Sequence, residues 1–356
     1  MSKEYKEQKY EEYRNKIQQL FLQMPGFCKD YYISRRLKLT DKTQFDYISK
    51  MNTFLKWLQL SNPYFGKKDL TEITVEDMGL LKKRDIEEFI SWLMDQKKYP
   101  NSRKYSTTNS KTTVNTYLSC ISSYYKFFIR EELLTLNPID LIERERKKKK
   151  NLIYLNEQQR YDFVDSVATG NGLTNKQMDD YTKKTGSRDF CIIQIMLTTG
   201  IRISELVGLD ISDLHLDDNY IKVQRKGDSP DKVFISDETK SVIQDYLDNE
   251  RSLYESTDPL QPLFLSKKGT NVGQRLGVRS VEKLVKKYAN ASAISNAGEL
   301  HAHSLRASFA MDSLDKTSNV QLVSAQLGHS SLISTQSYLE GNNDMKEKHR
   351  NDVTIN

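Results

Sequence analysis

The sequence predicts a mainly α protein, in which an all-helical domain is followed by an α+β domain with a small β-sheet. Three observations carry that expectation. Within the first 130 residues, three stretches repeat apolar residues at three- and four-residue steps, the spacing of one helical face. A pair of short alternating stretches, residues 220–223 and 232–235, reads as strands around a turn at 224–231 that contains Gly227 and Pro230. Residues 143–150, ERERKKKK, are charged without exception and mark a linker.

Taken in order, residues 1–26 form an extension of helical composition but poor patterning, an extra leading helix or an arm. From Phe27 the pattern sharpens. Phe45, Ile48, Met51, Phe54, Leu55 and Leu58 define a core-facing helix over 43–60. Ile86, Phe89, Ile90 and Leu93 define another, and Val114, Tyr117, Leu118, Ile121, Tyr124, Tyr125 and Phe128 a third. Between these last two, residues 99–113 are polar and basic and read as a loop. A helical domain therefore spans 27–142, and a basic linker spans 143–151.

The second domain spans 152–338. Residues 156–167 read as a capped helix, 170–187 as a polar, weakly patterned insertion, and 188–199 as a buried helix ending in a Thr-Gly turn. A short helix over 203–209 precedes the strand pair, and helices follow at 241–249, 280–288, 303–312 and 320–327. Residues 339–356 form a polar tail.

The 356 residues suffice for two ordinary cores, and 29% charged against 37% hydrophobic residues describes a wet-surfaced globular chain. The net charge of +6 fits a polyanionic partner without requiring one. The apolar run at 190–197, broken by Gln194, is too short to cross a bilayer, and the charged N-terminus lacks a signal peptide's apolar core. A cytoplasmic protein with no membrane partner is expected. Cys28, Cys120 and Cys191 are odd in number and far apart, which suggests neither a disulfide framework nor a zinc site. His215 with Asp210, Asp213, Asp217 and Asp218 crowds one turn, where aspartates serve local backbone bonding, so no metal is assigned.

Chemistry concentrates in 301–338, HAHSLRASFAMDSLDKTSNVQLVSAQLGHSSLISTQSY. His303 and Arg306 stand three residues apart on one helical face and can reach the same small anion; His301 lacks an arginine at that offset. Leu327-Gly328-His329 is followed nine residues later by Tyr338. A phenol with a pKa near ~10 attacks poorly at neutral pH unless cations or a base draw off its proton, and both are at hand here. Upstream, Thr199-Gly200-Ile201-Arg202 sets a guanidinium at a helix start, where it and backbone N–H groups can bind one phosphate. Lys226 sits in the hairpin turn, from which a flexible lysine can reach a groove and donate a proton; Arg225 and Lys232 are its rivals by position. Glu205, one helical turn past Arg202, reads as a residue that orients an arginine.

In this order Arg202, Lys226, His303, Arg306, His329 and Tyr338 resemble the catalytic set of the tyrosine recombinases, the family of phage integrases and Xer enzymes. Where that family usually has a histidine after the second arginine, this chain has Ala307. Within the family, Met24-Pro25-Gly26, the leading helix, the lysine run and the insertion before Arg188 look most like the Xer-type, XerS-like enzymes.

The resemblance implies DNA cutting and rejoining through a 3′-phosphotyrosyl link to Tyr338, without metal, cofactor or ATP. Arg202 and Arg306 would clamp the scissile phosphate, Lys226 would protonate the leaving 5′ oxygen, His303 would act as acid or base, and His329 would position the phosphate. It makes 27–142 a core-binding domain, with Arg35, Arg36, Lys38, Arg103, Lys104 and Lys111 as candidate phosphate contacts and Lys147, Lys148, Lys149 and Lys150 as a backbone-crossing run. It further implies a homo-tetramer on two copies of a specific double-stranded DNA site, with accessory proteins as further partners. Chromosome dimer resolution and mobile-element integration share this chemistry. A type IB topoisomerase or a non-catalytic DNA-binding relative are the alternatives of another class.

Overall fold

The computed structural model describes residues 3–95, 109–144, 152–225, 229–267 and 269–328. The chain divides into two compact units, residues 7–149 and residues 150–356 together with 1–6. Among the described residues no helix is long and apolar enough to cross a membrane.

The first unit is helical: α1 (Lys3–Phe21), α2 (Gly26–Arg35), α3 (Asp41–Ser61), α4 (Val75–Gly79), α5 (Lys83–Asp95) and α6 (Lys111–Arg130). The helix starts follow local chemistry. Thr40 accepts a hydrogen bond from the Thr43 amide and Ser110 one from the Thr113 amide, each satisfying a donor the first turn leaves open. The apolar stripes read from the sequence meet in one core, where Tyr31 stacks on Tyr124 at 3.8 Å between ring centroids and Phe54, Trp57 and Phe89 pack together. Burial pushes the Cys28 and Cys120 thiols up from their ordinary range, so both are inert packing groups.

From Glu7 onward the leading helix packs as part of this unit. Ile17 is fully buried, and Leu20 and Phe21 pack against the same core. Its inward side is short, Ile17, Leu20 and Phe21 at i, i+3 and i+4 with Tyr13 against Phe45, on a helix that is otherwise mostly polar, which is why its composition hid its packing.

The second unit contains α7 (Glu157–Thr169), α8 (Asn175–Asp180), α9 (Gly186–Thr199), α10 (Ile203–Val207), α11 (Asp237–Asn249), α12 (Val278–Ala291), α13 (Ala302–Thr317) and α14 (Val320–Leu327). The polar insertion is thus largely helical: α8 runs through a π-helical turn, Tyr181–Thr185, into α9. Buried along most of its length, α9 is the axis of the unit, with α7, α11 and α13 packed around it. The sheet is an antiparallel meander of β1 (Leu214–His215), β2 (Tyr220–Gln224) and β3 (Pro230–Phe234), with Tyr220 opposite Phe234 and Gln224 opposite Pro230. The two-residue β1 is too short to show an alternating pattern. β3 begins two residues earlier than expected because Pro230, which has no N–H to give, can still open a strand.

The α9–α12 contact is ionic. Asp189 is 1% exposed and accepts from Arg188 Nη2 at 2.8 Å, Lys287 Nζ at 2.7 Å and Tyr288 Oη at 2.9 Å. Burial works against its charge, but Arg188 and Lys287 outweigh burial and hold the carboxyl below the ordinary range. Asp189→Ala strands these donors, and the expected loss of stability is about 3–5 kcal/mol. A urea-unfolding midpoint unchanged by the substitution would contradict it.

Candidate active site

The site is built where α9 ends, α10 begins and α14 stops. Gly200 terminates α9 in the left-handed region (φ +62°), with its amide bonded to the Met196 carbonyl at 3.1 Å. The turn delivers Arg202 to the N-cap of α10, where its amide donates to Glu205 Oε2 at 2.8 Å. At the other end, α14 closes on Gly328, also left-handed at φ +61°.

The last three carbonyls of that closure each accept from a different arginine. Arg225 Nη2 reaches Gln326 O at 3.0 Å, Arg306 Nη2 reaches Leu327 O at 2.7 Å, and Arg202 Nη2 reaches Gly328 O at 3.4 Å. Cations suit a helix C-terminus, whose open carbonyls carry partial negative charge. Arg306, 2% exposed, also donates from Nη1 to Gly200 O at 2.7 Å and so joins both helix ends.

Glu205 is buried between two of these arginines, with Oε1 2.8 Å from Arg202 Nη1 and Oε2 2.9 Å from Arg225 Nη1. Asp231 accepts from Arg225 Nε at 2.9 Å. Among the described residues, three guanidiniums against these two carboxylates give the cluster an excess of one positive charge. An anionic oxygen of a phosphate is the natural complement to that excess. The Arg202 side chain, 34% exposed, is the most open of the three guanidiniums.

The structure separates the two candidate histidines. His301 caps α13, its Nδ1 accepting from the Ser304 amide at 3.1 Å, whereas His303 stands on the helix itself, exposed at its edge and one turn before Arg306. The protein packed around His303 lowers its pKa from the ordinary 6.5, and the charges of Arg306, His301 and Arg202 lower it further. At neutral pH it is therefore an unprotonated imidazole that can accept a proton. Cleavage is expected to hold its rate as pH falls to 6.5 and decline only below it, with that decline absent in His303→Gln. Because the unfolded chain binds this proton more readily, His303 contributes stability above pH 6.5 that is lost as pH falls through its lower folded value. A rate that already declines above pH 6.5 would refute the assignment.

Lys226, His329 and Tyr338 lie outside the described residues, so the structure brings together Arg202, His303 and Arg306 of the proposed set. The described neighbours of Lys226 and His329 are in place: the Arg225 amide bonds to Ser229 O at 2.9 Å across the hairpin turn, and Gly328 sits at the arginine cluster. The rival Lys232 lies over the Tyr220 ring, 4.4 Å from its centroid. Two of the acids near His215 are occupied: Asp213 caps the Asp210 amide at 3.0 Å and Asp210 pairs with Arg275, while His215 stacks on Tyr220.

Gly328 is required for two reasons. A side chain would strain its left-handed backbone, and a Cβ would stand 2.6 Å from Arg225 Nε, whose guanidinium is held on every side. Gly328→Ala should cost about 1–3 kcal/mol in thermal unfolding; a variant as stable as the parent would refute the crowding.

In the helical unit, Arg35 lines an open groove of about 870 Å³ with Lys126, Arg130, Arg144 and Ser119. Arg36, Lys38 and Lys111 are exposed. Arg103, Lys104 and Lys147, Lys148, Lys149 and Lys150 lie outside the described residues. Lys126 and Arg130 stand on the solvent side of α6, where a basic residue leaves no local pattern in the sequence.

Known proteins resemble this chain in sequence and in fold. The Phage integrase family matches residues 173–345. Tyrosine recombinase XerS of Streptococcus uberis is 30% identical over 350 residues, covering 92% of this chain and 95% of its own. XerS of Streptococcus mutans is 29% identical over 348 residues with the same coverage, 92% and 95%. Among solved structures, the XerH site-specific recombinase bound to difH substrate, in a pre-cleavage complex, aligns at TM-score 0.56 and 21% identity over 87% of this chain and 78% of that one. The Tn1549 transposon integrase in complex with circular intermediate DNA aligns at TM-score 0.60 and 18% identity over 88% and 95%. These two structures share the fold, and the sequence relationship to the XerS proteins extends over nearly the whole chain. The chain belongs to the tyrosine recombinase family.

Proposed function

We propose that this enzyme is an Xer-like recombinase that acts on a specific double-stranded DNA site, with Tyr338 as nucleophile. The observation that carries the reading is the convergence of Arg202, Arg225 and Arg306 on the end of α14, ten residues before Tyr338 in the sequence. The cationic excess there supplies the charge compensation that phosphoryl transfer requires.

In the first step the Tyr338 oxygen attacks the scissile phosphorus and its proton passes to His303. The P–O5′ bond breaks, and Lys226 gives the leaving oxygen its proton. Arg202 and Arg306 hold the equatorial oxygens, and His329 positions the phosphate. The 3′-phosphotyrosyl link conserves the bond energy, so the 5′ hydroxyl of another strand can reverse the step with no outside energy source. Four protomers on two sites would let the strands exchange, with accessory proteins acting outside this chemistry. The solved relatives described with DNA, XerH with its difH substrate and the Tn1549 integrase with circular intermediate DNA, support the choice of DNA as partner. The nearly full-length XerS similarity favours the Xer-like role over mobile-element integration.

The test is covalent trapping. Nicked duplexes cut from the gene's native neighbourhood are incubated with the protein, the adduct is isolated, and the linked peptide is sequenced by mass spectrometry. A nucleotide on Tyr338 is the expected result. Adduct formation on any duplex, with plasmid relaxation and no strand exchange, would favour a topoisomerase. The lack of adduct on DNA that the protein binds would favour a non-catalytic DNA-binding role.

A further inference from the structure

We propose that Arg225 is a positioning residue that sets the reach of the neighbouring Lys226 toward the leaving oxygen. The inference rests on the proposed role of Lys226 as proton donor. It begins from an anomaly of burial. Arginines at the mouth of a hairpin ordinarily extend into water, yet Arg225 is 8% exposed. A buried guanidinium is retained only when its donors are met, and these are: Nε by Asp231 at 2.9 Å, Nη1 by Glu205 at 2.9 Å and Nη2 by Gln326 O at 3.0 Å.

The three acceptors come from three places in the fold: β3, the short helix α10 that Arg202 begins, and the end of α14. Arg225 therefore fastens the root of the hairpin turn to the start of α10, which Arg202 caps, and to the end of α14, which Arg306 also reaches. Its own amide, bonded to Ser229 O, closes the turn from within. Gly328 presses against the guanidinium with no side chain between them, which leaves Arg225 little room to shift. With Arg225 clamped three ways, the backbone that leads into Lys226 departs from a fixed point beside Arg202 and Glu205. With the clamp loosened, the same lysine would sample a wider volume and spend less time within proton-transfer range.

The prediction is specific to one step, the protonation of the leaving oxygen. Arg225→Lys keeps a cation beside Glu205 but loses the planar fork that spans the three acceptors. Single-turnover cleavage by the full-length protein is measured on two nicked duplexes of the mapped site, identical except that the bridging 5′ atom is oxygen in one and sulfur in the other. A thiolate leaves without needing a proton. On the oxygen substrate Arg225→Lys should be slower than the parent by about 10²-fold, and on the sulfur substrate within about threefold of it. Equal loss on both substrates, or no loss on the oxygen one, would overturn the inference.

Lys226→Ala run in parallel separates the two readings. If sulfur rescues Lys226→Ala but not Arg225→Lys, the positioning role alone fails. If sulfur rescues neither, the proton-donor reading fails and takes the inference with it. Should Arg225→Lys not fold, as judged by its melting curve, Asp231→Asn makes the same comparison by weakening one anchor at a half-exposed carboxylate. About tenfold loss on oxygen and none on sulfur is then expected, and parallel losses overturn the inference.

Discussion

Tyr338→Phe is expected to bind its DNA site as the parent does and to form no covalent adduct, a loss of about 10⁴-fold or more in single-turnover cleavage. The substitution removes one oxygen and leaves a ring of nearly the same shape, so folding and DNA affinity have no reason to change. The chain has 20 tyrosines, and the buried ones are poor substitutes. Burial pushes the phenols of Tyr31, Tyr124, Tyr125, Tyr246 and Tyr288 up from their ordinary value, and Tyr288 is further spent as a donor to Asp189. A nucleophile needs the opposite shift and a path to the phosphate. Gel-shift titration beside a denaturing gel reads both quantities from the same preparation. An adduct that persists in Tyr338→Phe would move the nucleophile elsewhere and dismantle the proposed mechanism at its first step.

What the sequence showed and what it hid divide along the range of the interactions involved. Helices α3, α5 and α6 were legible because a stripe such as Phe45, Ile48, Met51, Phe54, Leu55 and Leu58 is a local record of which face is buried. The leading helix and α8 were obscured because so few of their residues face a core. At the site, the residue types and their order were readable, whereas the contacts among them were not. Arg306 meets a carbonyl 106 positions away and Arg225 one 101 positions away, and no periodicity encodes such a pairing. The burial of Arg225 did leave a trace. Ile221 and Val223 face inward along β2, and the same alternation continued one step past Gln224 turns residue 225 inward too. Read as a turn residue it was a rival for Lys226; read as the last inward position of a strand it becomes the anchor beneath it.

Arg306→Ala should be the most damaging change among the described site residues, because it combines two losses. The structural one is direct: Gly200 O and Leu327 O, each 2.7 Å from a guanidinium nitrogen, lose charge-assisted hydrogen bonds in a buried setting, at about 1.5–3 kcal/mol apiece. With them goes the link between the end of α9, which aims Arg202, and the end of α14, which leads toward His329 and Tyr338. The chemical loss is the cationic excess of the cluster, since Glu205 and Asp231 then balance Arg202 and Arg225. A catalytic arginine facing a transferring phosphoryl group is worth about 10³–10⁵ in rate. Arg306→Lys tells the two losses apart. It returns the charge without the fork that joins Gly200 O to Leu327 O, so it should melt below the parent and remain at least about 10²-fold slow in single-turnover cleavage at saturating protein and low temperature, where both are folded. If the lysine restored the rate while the melting point stayed low, charge alone would suffice and the bridge between the helix ends would be dispensable for catalysis. If it restored the melting point while the rate stayed low, the bridge would have been repaired by other contacts and the geometry of the planar fork would itself be what the phosphate requires.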